Sequence, residues 1–147
     1  MIPEVLGMAN IAVLYATKTN HSKKLAQAVG TAFGVQAANI TEKPDLQNVD
    51  LLFVVGGIYG GVSMPELLDY LKGLEAPALK HAALITNCAS GKQRQNATRQ
   101  ILEEKGVRVL GEFVCKGAIL FVSLPHPNAR DLQNATDFAL EMALSVT

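Results

Sequence analysis

Apolar residues in this chain fall into short unbroken runs that alternate with stretches of helical spacing. Residues 11–15 are almost wholly apolar and enter the polar stretch Ala16-Thr17-Lys18-Thr19-Asn20-His21, which suits a strand buried on both faces and ending in a loop. Ser22, an N-cap by residue type, precedes Leu25, Ala26, Val29 and Phe33 at helical intervals, and Gly34 stops the pattern. Residues 35–40 read as a weaker second strand. Over residues 41–48, Pro44, Asp45 and Asn48 mark a loop too short for a full helix. Residues 51–55 form the clearest strand and run into Gly56-Gly57-Ile58-Tyr59-Gly60-Gly61, where the backbone must turn sharply or approach something closely. Pro65 then opens a helix through Leu67, Leu68 and Leu71. Residues 82–86 repeat the apolar strand, followed by a polar loop over 87–92 and a helix carrying Ala97, Ile101 and Leu102 that ends at Gly106. Residues 107–114 make a fifth strand, and a last helix from near Asn128 places Leu132, Ala135, Phe138, Ala139, Met142 and Ala143 on one face.

Strands and helices alternating in this way make βαβ units, whose right-handed crossovers put helices on both faces of a parallel sheet. The expectation is an α/β, doubly wound, three-layer domain with five parallel strands. With 147 residues the chain holds one domain, and residues 1–8 read as a loose N-terminal extension. There is no internal repeat, low-complexity tract or linker.

Composition narrows the function classes. Apolar residues make up 49% and charged residues 18%, far from a disordered segment. Thirteen basic residues balance thirteen acidic ones, which gives no overall electrostatic footprint for nucleic acid or an anionic membrane. Cys88 and Cys115 are too few for a disulfide scaffold and show neither CxxC nor Cys/His zinc spacing, so they read as reduced thiols. No metal site is expected. The N-terminus lacks the basic start and apolar run of a signal peptide, and no segment has about 20 uninterrupted apolar residues, so the expected location is cytoplasmic.

In doubly wound folds ligands bind outside the carboxyl ends of the strands, where strand order reverses. Three loops therefore carry the chemistry: residues 16–22, 56–61 and 87–92. The first offers hydroxyls and backbone N–H groups at a helix start, where the dipole and unpaired amides favour a phosphate. Capping of the helix by Thr17, Thr19 and Ser22 is the plainer alternative.

The stretch 17–22 resembles the hydroxyl-rich phosphate loop of flavodoxins, Ser/Thr-x-Thr-Gly-x-Thr, with Asn20 where that family usually has glycine. Asparagine visits left-handed conformations more readily than most residues. The segment Asp50-Leu-Leu-Phe-Val-Val-Gly-Gly-Ile-Tyr-Gly-Gly resembles the family's third strand and flavin-flanking loop. Phe113-Val-Cys-Lys-Gly, followed by His126-Pro-Asn-Ala-Arg-Asp-Leu, is similar to the tail of short flavodoxin-like proteins. The likeness runs from Asn10 over nearly the whole chain.

That resemblance implies strand order 2-1-3-4-5 and FMN as cofactor. It places Thr17, Lys18, Thr19, Asn20, His21 and Ser22 around the phosphate, and Ile58, Tyr59 and Gly60 along one side of the ring, with Tyr59 as the stacking residue. Asn87, Cys88, Ala89, Ser90 and Gly91 would lie along the other edge and offer backbone amides to the pyrimidine oxygens. It favours an electron carrier over a self-sufficient oxidoreductase, working with a reductase and an acceptor protein and with neither nucleic acid nor membrane. The loop over 87–92 lacks the aromatic residue that often covers the flavin, and the chain is neutral where carrier flavodoxins are typically acidic.

Two other readings stand beside it. Cys88-Ala-Ser-Gly-Lys-Gln-Arg94 fits the Cys-x5-Arg loop of cysteine phosphatases, in which a thiolate attacks phosphorus while loop amides and the arginine hold the anion. Gln95 replaces the hydroxyl residue usual after that arginine, and no proton donor is identifiable. Cys88 is otherwise a small packed loop residue and Cys115 a core residue. The other is a cofactor-free interaction module. Two-component receivers are excluded, because Ala16 and Gly56 stand where they need acids. His81 reads as a solvated strand start, and Lys23 and Lys24 as a solvated helix face.

Overall fold

The computed structural model describes residues 9–18, 20–59, 61–75, 79–88, 90–116 and 128–146. The expected N-terminal extension lies outside them, as does His126 of the tail segment. The chain order is β1 (Ile11–Ala16), α1 (His21–Phe33), β2 (Ala38–Asn39), a 3₁₀ turn (Ile40–Glu42), β3 (Val49–Tyr59), β4 (Val62–Ser63), α2 (Pro65–Lys72), β5 (Leu79–Cys88), α3 (Asn96–Glu104), β6 (Arg108–Lys116) and α4 (Ala129–Leu144).

The strands lie in the order β2-β1-β3-β5-β6, all parallel, which is the expected 2-1-3-4-5 arrangement. A sixth, two-residue strand, β4, folds back antiparallel on β3 through the pairs Ile58↔Ser63 and Tyr59↔Val62. The sheet extends further toward the carboxyl ends than apolarity alone indicates. Gly56, Gly57 and Ile58 belong to β3 and pair with Thr86, Asn87 and Cys88 of β5, so what reads as a glycine-rich loop is the last part of the central strand. Conversely, β2 shrinks to two residues, because Asn39 caps a 3₁₀ turn through a capping box with Glu42. Helix α1 begins at His21, one residue before the expected cap, because Asn20 takes the left-handed conformation (φ 48°) at the N-cap.

Each face of the sheet has its own core. Val13, Tyr15, Phe53, Val55 and Ile85 pack against α1 and α4, where Leu25, Val29, Ala135 and Ala139 face them. Leu14, Leu52, Val54 and Leu84 pack on the other face against Leu67 and Leu71 of α2 and Leu102 of α3. Alternate residues of β1, β3 and β5 serve opposite layers, as a two-sided sheet requires.

Strand β6 breaks that alternation once. Ala82 pairs with Val109 but Leu84 pairs with Glu112, so two residues of β6, Leu110 and Gly111, stand opposite Ala83 alone. Leu110 packs into the α1/α4 core, and a Cβ on Gly111 would lie 3.2 Å from Met142 of α4, so both residues turn to that side. This one-residue bulge sets Glu112 on the α3 face.

Phe53 is fully buried at the centre of β3 and stacks on Phe33, with ring centroids 5.5 Å apart. Phe53→Ala should destabilise the chain by about 3–5 kcal/mol, since a site closed on both sides cannot collapse to fill the void. Equilibrium urea unfolding measures this, and a loss below about 1 kcal/mol would contradict the packing described.

Candidate functional site

The carboxyl ends of β1, β3 and β5 converge on one edge of the sheet, and the loops that follow them are tied together by named contacts. After β1, the chain passes Thr17 and Lys18 into the first turn of α1. Asn20 makes no side-chain cap bond there, so the first-turn amides of α1 have no side-chain oxygen from their N-cap residue. The hydroxyl of Ser22 is buried with no hydrogen-bond partner among the described residues. Ser22 therefore does not cap the helix. Burial, together with the charge of Lys24, holds His21 below the usual imidazole range.

At the end of β3, Tyr59 folds back along its own strand. Its ring covers Gly57 so closely that a Cβ at that position would stand 2.6 Å from the phenol. The phenolic oxygen accepts a hydrogen bond from Lys18 N–H at 3.1 Å, and Lys18 Nζ lies 5.2 Å from the ring centroid. Tyr59 thus latches the end of β3 to the first loop, and its oxygen already occupies one of that loop's amides. Ile58, just before it, is buried.

The third loop is held from below. Gln95, fully buried at the start of α3, donates through Nε2 to the carbonyls of Val54 (3.3 Å) and Ile85 (3.1 Å) and to Thr86 Oγ1 (3.1 Å), while its Oε1 accepts from Thr98 Oγ1 (3.2 Å). Glu112, whose side chain has no exposed surface, accepts from the Thr86 hydroxyl and from Gln95 N–H (2.7 Å). Its second oxygen lies 3.9 Å from Arg99 of α3. A Cβ on Gly56 would lie 2.8 Å from Gln95 Oε1, so glycine in β3 makes room for this network. Sequence reading missed Thr86 and Glu112 altogether, and took Gln95 only as a departure from the phosphatase pattern. Two adjacent glycines inside an apolar strand were the available signal.

Asn87 ends β5 on the α1/α4 side, between Gly57 and Cys115 in register, and its Oδ1 is buried without a hydrogen-bond partner among the described residues. Cys88 lies on the opposite side and is buried. Ser90 is exposed at the loop's tip, and Gly91 adopts a positive φ of 72°. Three of the residues assigned to the site from sequence, Thr19, Gly60 and Ala89, lie outside the described residues. The rest line this one edge.

No protein-family model matches the chain. An uncharacterized protein of Methanocaldococcus jannaschii is 27% identical over 133 residues, spanning 81% of this chain and 87% of its own. Among solved structures, a flavodoxin from the domain Archaea superposes with a TM-score of 0.74 at 15% identity, covering 93% of this chain and 98% of that one. A short-chain flavodoxin associated with a non-canonical PDU bacterial microcompartment gives 0.73 at 17% identity over 95% of this chain and 100% of its own. The chain has a flavodoxin-like fold.

Within this flavodoxin-like fold the Cys-x5-Arg segment lies between β5 and α3. Arg94 is exposed, and Gln95 is committed to the network below. The Cys88 sulfur is within 3.2 Å of Ser90 Oγ and 3.5 Å of Gln93 Oε1. Burial pushes the Cys88 thiol up, but the Ser90 hydroxyl and the amides of Gln93, Ser90 and Lys92 outweigh it and hold the thiol below its ordinary value. Cys115 is pushed up to about 12 by burial and by the nearby Asp131 carboxylate. Among the described residues no group of three or more His, Cys, Asp or Glu side chains could hold a metal ion. No described helix is long and apolar enough to cross a membrane. A cleft of about 720 Å³ lies elsewhere, between the 41–47 loop and α2, and none of the three loops lines it.

The two thiols should separate by pH. Iodoacetamide at pH 8 should modify Cys88 and leave Cys115 untouched until the chain is unfolded, because only the thiolate reacts. Peptide mapping by mass spectrometry reads the result, and faster labelling of Cys115 would contradict the thiol environments described.

Proposed function

We propose that the chain binds FMN across this edge, with the phosphate at the start of α1 and the ring between the ends of β3 and β5, and that it works as an electron-transfer protein. The observation that carries the reading is the Ser22 hydroxyl: a buried oxygen at an uncapped helix N-terminus, left without a partner among the described residues. A second buried oxygen, Asn87 Oδ1, is likewise unpartnered at the end of β5. Buried polar atoms left unmade cost about 1–3 kcal/mol each, and these two, at the same edge of the sheet, fit a ligand that bonds both; the third such atom, Glu112 Oε1, has Arg99 3.9 Å away. The likeness to flavodoxin structures supports the same cofactor.

Bound FMN would supply the redox chemistry, and the chain would hold it and set its potential. Thr17, Lys18, Asn20, His21 and Ser22 bind the phosphate, with the positive end of α1 behind it. Thr19 belongs to the same loop in sequence. His21, which burial and Lys24 hold below the usual imidazole range, contributes a hydrogen bond. Asn87, Cys88, Ser90 and Gly91, with Ala89 between them, face the polar edge of the ring, while Ile58 and Tyr59, with Gly60, flank it. The Gln95–Glu112 network keeps the third loop fixed, so its amides are oriented before the ligand arrives.

Tyr59 has two separable effects. Its hydroxyl competes with the phosphate for Lys18 N–H, and its ring supplies contact area. Tyr59→Phe should therefore tighten FMN binding by up to about tenfold, the worth of one neutral hydrogen bond, while Tyr59→Ala should weaken it. Fluorescence titration of FMN with the purified chain tests both. If FMN in excess leaves its own fluorescence and the melting temperature of the chain unchanged, the cofactor assignment is wrong. Aryl-phosphate hydrolysis lost in both Cys88→Ser and Arg94→Ala would instead favour the phosphatase reading.

A further inference from the structure

The zero net charge conceals an uneven distribution. In the loops and first helical turns at the carboxyl edge of the sheet, the described cations are Lys18, Lys23, Lys24, Lys43, Lys92, Arg94 and Arg130, against Glu42, Glu66 and Asp131. Arg99, the remaining cation of these turns, is engaged with Glu112. Toward the opposite edge the signs are mixed: Asp50, Glu75, Glu103 and Glu104 stand with Lys72, Lys80, Lys105 and Arg108, and Lys80 pairs with Asp50 at 3.5 Å. Cations thus outnumber acids at the proposed ligand edge, although the chain as a whole is neutral.

An exposed apolar residue lies between the loops that carry these cations. Val62, in β4, is 63% exposed, whereas most apolar residues of the sheet are buried. Its hairpin adjoins the third loop, since a Cβ on Gly61 would lie 3.6 Å from Gln93 Nε2. It adjoins the first loop through Tyr59, its partner in the β3–β4 register, whose hydroxyl holds Lys18 N–H. Lys18, Lys92 and Arg94 are all exposed. An exposed apolar residue flanked by loops with exposed cations has the layout of a protein interface, with an apolar centre and a charged rim that steers encounter. A polyanion site would need cations without the apolar centre, usually on a chain of net positive charge.

We infer that the Val62 hairpin, together with Lys18, Lys92 and Arg94, is a docking surface for an acidic protein, so that the chain meets its partner by the edge where its cations are in excess. The surface rests on the flavin reading only for the purpose of the encounter. A phosphate held at the start of α1 offsets charge near Lys18 and Lys24 and leaves Lys92 and Arg94 on the far rim unneutralised.

The test is isothermal titration of the full chain, with and without FMN, against a small acidic ferredoxin as probe, with the basic protein cytochrome c and a single-stranded oligonucleotide as comparisons. The ferredoxin should bind, and its affinity should fall about tenfold or more as salt is raised from low to above physiological strength. K92E/R94E should weaken ferredoxin binding by about tenfold or more, both with and without FMN, while leaving the melting temperature unchanged, and V62S should weaken it by a smaller factor. K92Q/R94Q serves if the reversed charges impair folding. Preference for cytochrome c, no response to the double substitution, or oligonucleotide binding as tight as that of the ferredoxin would each overturn the inference. Failure of FMN to bind while the ferredoxin docks on Lys92 and Arg94 would remove the flavin reading and leave the surface standing.

Discussion

The functional edge of this molecule depends on two side chains that are absent. Gly56 and Gly57 sit in register near the end of the central strand, and each leaves room on one face for a neighbour that a Cβ would displace. On one face the vacancy admits the amide of Gln95, which bonds the carbonyls of Val54 and Ile85. On the other it admits the ring of Tyr59, whose hydroxyl reaches Lys18 N–H in the first loop. The first and third loops are therefore both positioned by β3, from opposite faces.

Gln95, Thr86 and Glu112 make a buried polar unit bonded within the fold, save for Glu112 Oε1, which has no hydrogen bond and only Arg99 at 3.9 Å. Such a unit is worth little as net stabilisation, since desolvation offsets most of the gain, but breaking it leaves an unpaired buried group. Its effect is geometric. The carboxylate of Glu112 fixes the first amide of α3 and the hydroxyl of Thr86 together, which sets where the loop over residues 88–94 leaves the sheet and re-enters it. In a three-layer fold whose ligand loops are otherwise free of secondary structure, this kind of underpinning decides how well backbone groups are oriented for binding.

Much of the architecture was legible from hydrophobic spacing. Runs buried on both faces identified β1, β3 and β5, helical intervals identified all four helices, and their alternation led to the doubly wound sheet and its carboxyl-edge loops. What spacing missed lies where polar residues fill structural places. Asn87 and Cys88 complete β5, and Gly56 to Tyr59 complete β3, because backbone pairing does not need apolar side chains. Glu112 reads as a solvated position within β6, and only the bulge beside it reveals that it faces a buried glutamine. Asn20 was weighed as a glycine substitute before its left-handed backbone was known, whereas Ser22 was given a capping role that the helix start at His21 rules out. Of the site residues, those on strand ends could be located from order alone; the partners that hold them come from distant segments and leave no local signature.

The bulge in β6 also bears on how sequences of this kind can be compared. Because Leu110 and Gly111 together oppose Ala83, the strand on either side of them keeps its own regular pairing with β5. A chain lacking one of these two residues would preserve both halves of the pairing and differ only in the phase of the step between them. Alignments that slide through this strand without a gap would then match Glu112 to a residue on the wrong side of the sheet, and a buried acid common to two such chains would pass unnoticed.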